Sequence, residues 1–307
     1  MTSIIFPGQG SQYPGMVKDF YDNFKSAREV FEELEDITSI NLKNLLFEDN
    51  IKLNLTKYTQ ISIFTASIVI FKVIEQYSYL NYKDINCMLG HSLGEYSALT
   101  SSKKMSLNDA ANLIKTRGII MNDAIEPNIS GMAALIGFNS SKIQEIIDTN
   151  DLNVFIANDN SHQQIVISGL KSDLNNSEKI FLSNGVKKFV KLNVSAAFHS
   201  PLMLDAQNQL NEYINKVNFH ESDISIISNF NAKILKSNED IKNALSNQMA
   251  NKVKWTESIN NLAKTNDLKI IEIGPGKVLS GLIKRINNNF SIISINSISD
   301  LKLLEEL

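Results

Sequence analysis

The sequence is poor in the residues on which several protein classes depend. Cys87 is the only cysteine among 307 residues, so a disulfide within the chain and a cysteine metal cluster are both excluded. The net charge of -3 and the pI near 5.9 provide no basic surface of the kind that binds nucleic acid. We therefore expect no metal and no nucleic acid partner.

Long apolar runs are missing as well. No stretch approaches the roughly 20 uninterrupted apolar residues of a membrane span. The first residues run directly into a strand-like segment, so we expect no signal peptide. Hydrophobic residues make up 43% and charged residues 21%, which is typical of a globular protein with one or two domains. We expect a cytoplasmic protein with no membrane partner.

Two glycine-containing loops lack the spacing of nucleotide-binding loops. The first loop is residues 7–12, and Tyr13 directly after it stands where a dinucleotide-binding loop needs its third glycine. Residues 274–277 lack the spacing of a phosphate loop. We therefore reject both nucleotide interpretations. The first loop could present a backbone N–H to an oxyanion, or it could be a simple turn.

A G-x-S-x-G pattern at Gly90, Ser92 and Gly94 is the strongest signal in the chain. It follows the apolar run 85–89 and opens a helical pattern. This is the context of a nucleophile elbow, a sharp strand-to-helix turn that exposes a serine hydroxyl. A Cβ at either glycine would collide within such a turn, and the helix N-terminus favours a developing negative charge. The pattern predicts that Ser92 is a nucleophile, against the alternative of an ordinary turn serine.

Strand-like and helical segments alternate along most of the chain, which predicts an α/β fold with a mostly parallel sheet. The strands predicted for this sheet are 3–6, 85–89, 224–228, 269–273 and 291–295, and the clearest helices are 58–76, 106–122, 243–249, 255–264 and 278–286. Between residues 126 and 193 the order changes to β-α-β-β-α-β, the ferredoxin-like signature. We therefore predict a large subdomain of residues 1–125 and 194–307, into which a small subdomain of residues 126–193 is inserted.

Four histidines are candidates for a general base. His91 directly precedes Ser92 at a strand end, so its side chain should point to the opposite face. His162 lies in a polar turn and His220 among charged residues. Elimination leaves His199, at the start of an expected helix, as the base. The alternative is a histidine that only caps or packs.

Arg117 falls on the apolar stripe of the predicted helix 106–122, between Ile114 and Met121. A guanidinium on the core side of a helix has to be paired, because an unmatched buried charge is strongly destabilising. Its partner is either a carboxylate of the protein or an anionic ligand, and the spacing alone leaves both open.

The sequence offers no obvious acid for a catalytic triad. Esterases with this elbow follow the order Ser, then Asp or Glu, then His, and no acid between Ser92 and His199 ends a predicted strand. A Ser/His pair whose imidazole is oriented by a carbonyl fits better. Such a pair suits thioester chemistry, since a thiol leaves more readily than an amine or an alkoxide.

Several groups of residues occur together along essentially the whole chain. They are Phe6-Pro7-Gly8-Gln9-Gly10-Ser11-Gln12, Gly90-His91-Ser92-Leu93-Gly94-Glu95-Tyr96-Ser97-Ala98-Leu99, Arg117-Gly118, Phe198-His199-Ser200, Gln248 with Trp255, and Glu272-Ile273-Gly274-Pro275-Gly276. In these groups the chain resembles the malonyl-CoA:acyl carrier protein transacylases, including the acyltransferases of polyketide assembly lines. The fold that this resemblance implies is an α/β-hydrolase-like large subdomain with an inserted ferredoxin-like small subdomain.

The resemblance also implies roles for the matched residues. Ser92 would attack the malonyl thioester with His199 as its base, and Arg117 would hold the free malonyl carboxylate as a bidentate pair. The backbone N–H groups of Gln9 and Leu93 would form the oxyanion hole. The remaining substrate-binding residues would be Gln248, whose carbonyl or side chain would orient His199, and Phe198, Gln60, Asn160 and His91.

The implied reaction is a ping-pong transfer, as in an acyl carrier protein S-malonyltransferase of fatty acid or polyketide biosynthesis. A malonyl-serine forms, coenzyme A leaves, and the phosphopantetheine thiol of an acyl carrier protein takes the malonyl group. The coenzyme A thioester is a substrate, and no metal or redox cofactor is expected. We expect the enzyme to be a monomer.

The acyl group and the pathway can be narrowed by the same resemblance. A bulky residue before the histidine, here Phe198, is typical of members that handle malonyl, and Leu93 replaces the glutamine typical of methylmalonyl elbows. One methyl group is worth only about 1–3 kcal/mol of discrimination, so we expect a preference for malonyl. Ala196 stands where polyketide malonyl enzymes often have histidine, and the run 196–199 resembles free-standing acyltransferases that serve polyketide synthases in trans.

Two other functions are compatible with parts of the pattern. One is an acyl hydrolase that clears stalled acyl groups from carrier proteins, although Arg117 would have no carboxylate to hold on a simple acyl chain. The other is a docking module for a carrier protein with a silent active site. Lys187, Lys188 and Lys191 could contact an acidic carrier protein or could form a solvated edge.

Overall fold

A computed structural model describes residues 2–48, 51–77, 79–126, 128–265 and 268–305. Within them a six-stranded sheet has the order β10-β9-β1-β2-β7-β8, and every strand pair in it is parallel except β7 with β8. Its strands are β1 (Thr2–Phe6), β2 (Ile85–Gly90), β7 (Ser225–Ile227), β8 (Ile234–Leu235), β9 (Lys269–Ile273) and β10 (Ser291–Ile295). This confirms the mostly parallel sheet. The two-residue β8 is the one strand of this sheet that alternation could not reveal.

Helices cover both faces of this sheet. They are α1 (Lys18–Asn23), α2 (Lys25–Thr38), α3 (Leu42–Phe47), α4 (Thr56–Gln76), α5 (Gly94–Ser101), α6 (Leu107–Asp123), α9 (Leu204–Ile214), α10 (Asn238–Gln248), α11 (Trp255–Ala263) and α12 (Val278–Ile286), with short 3-10 turns at Ile51–Asn54, Tyr82–Asp84, Pro201–Met203 and Ile298–Leu304. Successive side chains of β1 alternate between two apolar clusters: Ile4 packs in the cluster of α4 and α6, and Ile5 in that of α11 and α12. Helix α10 begins before the predicted residue 243 because Ser237 and Asp240 form a capping box.

Helix α4 is the one described helix that is long and apolar enough to cross a membrane by length and composition. Its 18-residue apolar window is 83% buried inside the structure. The helix therefore packs as a core helix of the large subdomain, between α2 and α6.

A second, antiparallel sheet has the order β4-β5-β3-β6. Its strands are β3 (Ser130–Ile136), β4 (Val154–Ser161), β5 (Gln164–Leu170) and β6 (Lys188–Lys191), and its helices are α7 (Ser140–Thr149) and α8 (Lys171–Ser183). One face forms its own apolar cluster with these helices, and the other, with Met132, Ala134 and Val166, joins the core of the large subdomain. The predicted fold class, including the ferredoxin-like order, is confirmed. The subdomain boundaries stay a prediction, and residues 1, 49, 50, 78, 127, 266, 267, 306 and 307 of those ranges lie outside the described residues.

Candidate active site

The turn after β2 has the geometry of a nucleophile elbow. Ser92 adopts a φ of 50°, in the left-handed region that residues other than glycine rarely occupy. A Cβ on Gly90 would collide with the backbone of Gly94, and a Cβ on Gly94 would collide with the carbonyl of Phe6. The sharp turn therefore depends on both glycines, and it brings Ser92 to the start of α5 at the edge of the sheet.

Ser92 and His199 are in hydrogen-bond contact. The distance from Ser92 Oγ to His199 Nε2 is 2.8 Å, and His199 Nδ1 lies 3.0 Å from the backbone carbonyl of Gln248. Because a carbonyl only accepts, Nδ1 carries the imidazole proton and Nε2 is free to accept from the serine. The carbonyl of Gln248, rather than its side chain, thus orients the ring, and no acid is required for that task.

The position of His199 differs from the expected helix start. It lies in an irregular segment with a φ of 57°, and its backbone N–H donates to the carbonyl of Met249 at 3.1 Å. The following helix, α9, begins only at Leu204, after a 3-10 turn. The helix prediction was wrong at this end because a left-handed residue ahead of Pro201 delays the regular backbone.

The electrostatic environment keeps His199 neutral. Burial and the nearby positive charge of Arg117 lower the pKa of His199 from its usual 6.5 to about 3. A neutral imidazole can take a proton from Ser92 at physiological pH.

Arg117 is the most unusual charge in the site. It is 1% exposed, and its guanidinium donates to Gln60 Oε1 at 2.6 Å, to Gln248 Oε1 at 3.0 Å and to Ser92 Oγ at 3.1 Å. No carboxylate of the described residues forms an ion pair with it. Burial lowers the pKa of Arg117 below its usual range. The sequence left open whether Arg117 pairs with a carboxylate of the protein or with an anionic ligand. Its hydrogen-bond partners among the described residues are all neutral, which favours the anionic ligand.

Two residues beside Ser92 are the predicted backbone donors to an oxyanion. Leu93 lies at the N-cap of α5 and Gln9 in the loop after β1, and both residues line the cavity. Within the described ranges neither N–H donates to another protein group. Their donation to an oxyanion, of the kind made by an anion-binding helix N-terminus, stays a prediction.

These residues surround one cavity of about 330 Å³. Nine of the ten predicted site residues line it: Gln9, Gln60, His91, Ser92, Leu93, Arg117, Asn160, Phe198 and His199. Gln248 lies behind the lining of the cavity and contacts Arg117, His199 and Ser92. In the part of the chain that the structure describes, no group of three or more His, Cys, Asp or Glu could hold a metal ion. The roles of all ten residues stay predictions.

His91 lines the same cavity as Ser92, and its Nε2 lies 2.8 Å from Asn160 Oδ1. Its ring packs beside Trp255 of α11 with 5.5 Å between the ring centroids, whereas Ser92 Oγ contacts Arg117 of α6. These contacts lie on the two sides of the sheet, which agrees with the expectation that the His91 and Ser92 side chains point to opposite faces.

Sequence reasoning missed two residues that hold the elbow in place. Asn229 Oδ1 accepts from the backbone N–H of Ser92 at 2.5 Å, and Asn229 Nδ2 donates to the carbonyl of Gly90 at 2.6 Å. Glu95 is fully buried and accepts from Gln248 Nε2 at 2.6 Å; burial raises the pKa of Glu95 from 4.5 to about 7. Glu95 was visible in the elbow motif, whereas no local signal marks Asn229, which follows a distant strand.

Comparisons with known proteins agree over nearly the whole chain. A family model described as the acyl transferase domain matches residues 4–297. The malonyl CoA-acyl carrier protein transacylase of Bacillus subtilis (strain 168) is 35% identical over 305 residues, covering 98% of this chain and 95% of that protein.

Solved structures match equally well. An acyl-carrier-protein S-malonyltransferase from Bartonella henselae has a TM-score of 0.95 and 35% identity, covering 99% of this chain and 98% of its own. A malonyl-transacylase in complex with its type II PKS acyl-carrier protein has a TM-score of 0.95 and 32% identity, with 100% and 99% coverage.

Proposed function

Because the chain belongs to the acyl transferase domain family, we propose that it transfers a malonyl group from coenzyme A to the phosphopantetheine thiol of an acyl carrier protein. Its relatives over nearly the full length are named malonyl CoA-acyl carrier protein transacylases, and one solved neighbour is bound to an acyl-carrier protein. The transfer belongs to fatty acid or polyketide biosynthesis.

The observation that carries this proposal is the buried guanidinium of Arg117, which has only neutral partners and lies 3.1 Å from Ser92 Oγ. A malonyl thioester has a reactive carbonyl at one end and a carboxylate at the other. Arg117 would bind the carboxylate through a bidentate pair, and this would place the thioester carbonyl at Ser92. The elbow and the cation therefore fit opposite ends of one small diacid.

The first half-reaction forms a malonyl-serine. Ser92 Oγ attacks the thioester carbonyl while His199 Nε2 takes the hydroxyl proton. The negative charge on the carbonyl oxygen is stabilised by the N–H groups of Gln9 and Leu93. The C–S bond then breaks, and the sulfur of coenzyme A leaves with the proton that His199 returns.

The second half-reaction reverses these steps with a new thiol. His199 takes the proton of the phosphopantetheine thiol, and the sulfur attacks the malonyl-serine ester. The ester C–O bond breaks, and the proton returns to Ser92 Oγ. We propose that this chemistry needs no metal or redox cofactor, because each step is a proton transfer or an acyl transfer between groups that are already present.

Selectivity for the acyl group is proposed to depend on Phe198. This side chain lines the cavity directly before the base, and it would crowd a methyl group on the α-carbon of the substrate. A difference of about 1–3 kcal/mol would give a preference for malonyl over methylmalonyl rather than an absolute choice.

We also propose that the enzyme is a monomer in the cytoplasm, which fits carrier-protein chemistry on soluble substrates. For the lysine edge, Lys187 and Lys188 are exposed, and Lys191 pairs with Glu178 at 3.1 Å. Exposed lysines of this kind are compatible with an acidic partner and with solvent alone.

Intact mass spectrometry tests the proposal most directly. Incubation with malonyl-CoA alone should yield one malonyl group per chain, located on the peptide that contains Ser92, and the holo carrier protein should remove it. Release of free malonate without a carrier protein would instead show the acyl hydrolase. A chain that takes no malonyl group would be the silent docking module. No feature of the described site favours either alternative, and the relatives are named transacylases.

A further inference from the structure

Glu95 is a buried acid that the proposed chemistry does not use. It lies in the first turn of α5 and is 0% exposed. Its Oε2 accepts from Gln248 Nε2 at 2.6 Å and from the backbone N–H of Asn229 at 3.3 Å. No lysine or arginine of the described residues forms an ion pair with it.

The contacts of Gln248 give the side-chain amide one preferred orientation. Its Nε2 donates to Glu95 Oε2 and to the backbone carbonyl of Ser92 at 3.0 Å, and its Oε1 accepts from Arg117 at 3.0 Å. Turning the amide over would place its NH2 against the guanidinium and its oxygen against the Ser92 carbonyl. Both contacts would be repulsive.

Gln248 thereby connects the two functional ends of the site. Its backbone carbonyl holds the ring of His199, and its side-chain oxygen holds the guanidinium of Arg117. Without an acceptor at residue 95, Gln248 Nε2 would keep only the Ser92 carbonyl as an acceptor, and the amide would lose the shorter of the two contacts that turn its oxygen towards Arg117.

We propose that Glu95 is a positioning residue for recognition of the substrate carboxylate: through Gln248 it fixes the orientation in which Arg117 receives the malonyl group. This inference rests on the proposed function. The charge of Arg117 acts on Glu95 without a direct ion pair. A carboxyl group that is buried without such a pair is destabilising, and an apolar side chain of similar size would be less so. A hydrogen-bonding task at this place accounts for the residue type where packing alone does not.

The test uses binding of two ligands that differ only in the charged acyl group. In a Ser92→Ala background, which prevents acyl transfer, malonyl-CoA and coenzyme A are titrated by calorimetry. Glu95→Met keeps the length of the side chain but removes the acceptor, and should raise the Kd of malonyl-CoA about tenfold while the Kd of coenzyme A changes less than about twofold. Glu95→Gln keeps an oxygen that can accept from Gln248, and should restore the Kd of malonyl-CoA to within about threefold of the background.

A double-mutant cycle tests whether Glu95 acts through Gln248. In a Gln248→Leu background, Glu95→Met should change the Kd of malonyl-CoA by less than about twofold, because the two substitutions remove the same link. An equal effect in both backgrounds, or an equal weakening of both ligands, would overturn the proposal.

The outcomes separate this inference from the proposed function. If the Ser92→Ala protein bound malonyl-CoA no better than coenzyme A, the malonyl site itself would be wrong. If it discriminated but Glu95→Met left that discrimination intact, only the role of Glu95 would be wrong. Circular dichroism checks folding; should Glu95→Met not fold, Gln248→Leu alone must show the malonyl-specific loss, and an unchanged Kd for malonyl-CoA overturns the proposal.

Discussion

The two sheets contribute different things to one cavity. The parallel sheet contributes residues from the loops after β1 and β2, where Ser92 and the proposed oxyanion donors lie and where Ser92 itself has a left-handed backbone. The antiparallel sheet contributes neutral groups from the strands themselves, namely Met132, Ala134, Val166 and the amide of Asn160. The difference indicates that one sheet carries the chemistry and the other shapes the space around it.

Among the substitutions that test this comparison of the two sheets, removing the hydroxyl of Ser92 should have the largest effect on malonyl transfer. Ser92→Ala should lower malonyl transfer by more than about 10³-fold, because no covalent intermediate can form. Acyl-enzyme formation is followed by mass spectrometry and folding by thermal melting. Ser97→Ala is the matched control, since it removes a buried hydroxyl of α5, the helix that follows Ser92, and this hydroxyl has no hydrogen-bond partner among the described residues. Similar losses of malonyl transfer in both variants would mean that substitutions at α5 act by destabilising the fold, and that the hydroxyl of Ser92 is not specifically required.

Arg117→Ala should have the next largest effect. Loss of the cation should lower kcat/KM for malonyl-CoA by about 10²- to 10³-fold, and transfer of the uncharged acetyl group should fall much less. The ratio of the two rates, measured with the same carrier protein, is the readout. Arg28→Ala is the control, because Arg28 donates to the carbonyl of Tyr21 away from the cavity. An unchanged malonyl rate in Arg117→Ala would remove the main support for the proposed substrate.

The acid side of the pH profile should differ from that of an ordinary histidine. Because the pKa of His199 is lowered to about 3, the base stays deprotonated as the pH falls. We expect kcat/KM to be flat from pH 8 to about 5, whereas a histidine with a pKa near 6.5 would lose about tenfold by pH 5.5. Arg117→Ala removes a neighbouring positive charge and should shift the acid limb to higher pH. A parent midpoint near 6.5 would contradict the buried, neutral base.

Asn160→Ala tests the antiparallel sheet and should have the smallest effect. It removes a hydrogen bond of 2.8 Å to His91, and such a bond is worth about 0.5–1.5 kcal/mol, or roughly two- to tenfold. We expect this loss in KM for malonyl-CoA, with kcat nearly unchanged, in steady-state assays. A loss of kcat as large as that of Arg117→Ala would show that the antiparallel sheet takes part in the chemistry.

Local signals predicted most of the fold. The bounds of β9, β10 and α12 agree with the prediction, because each is a mainly apolar segment with clear flanking residues. The same holds for Arg117, whose place on the stripe of α6 already required a partner. Errors arose where the backbone depends on contacts elsewhere, as at His199, whose left-handed conformation has no signature in a non-glycine residue.

The supporting contacts of the site were beyond local prediction. Asn229 reaches Ser92 across 137 positions of the chain, and Gln248 reaches Glu95 across 153. Such contacts depend on how the strands and helices pack together in the fold. The spacing of residues within one segment of the sequence therefore cannot predict them. The sequence alone could suggest Gln248 only through family resemblance, and it left open whether its carbonyl or its side chain meets the base.

The unpaired guanidinium of Arg117 also affects how firmly the empty protein holds together. A buried cation without a counter-ion opposes folding, and a bound diacid relieves that opposition while it adds ordinary ligand stabilisation. Melting temperature should therefore respond more to malonyl-CoA than to coenzyme A. We expect an apolar side chain in place of Arg117 to raise the stability of the ligand-free protein and to abolish its preference for a charged acyl group. Stability and substrate selectivity therefore oppose each other at this position.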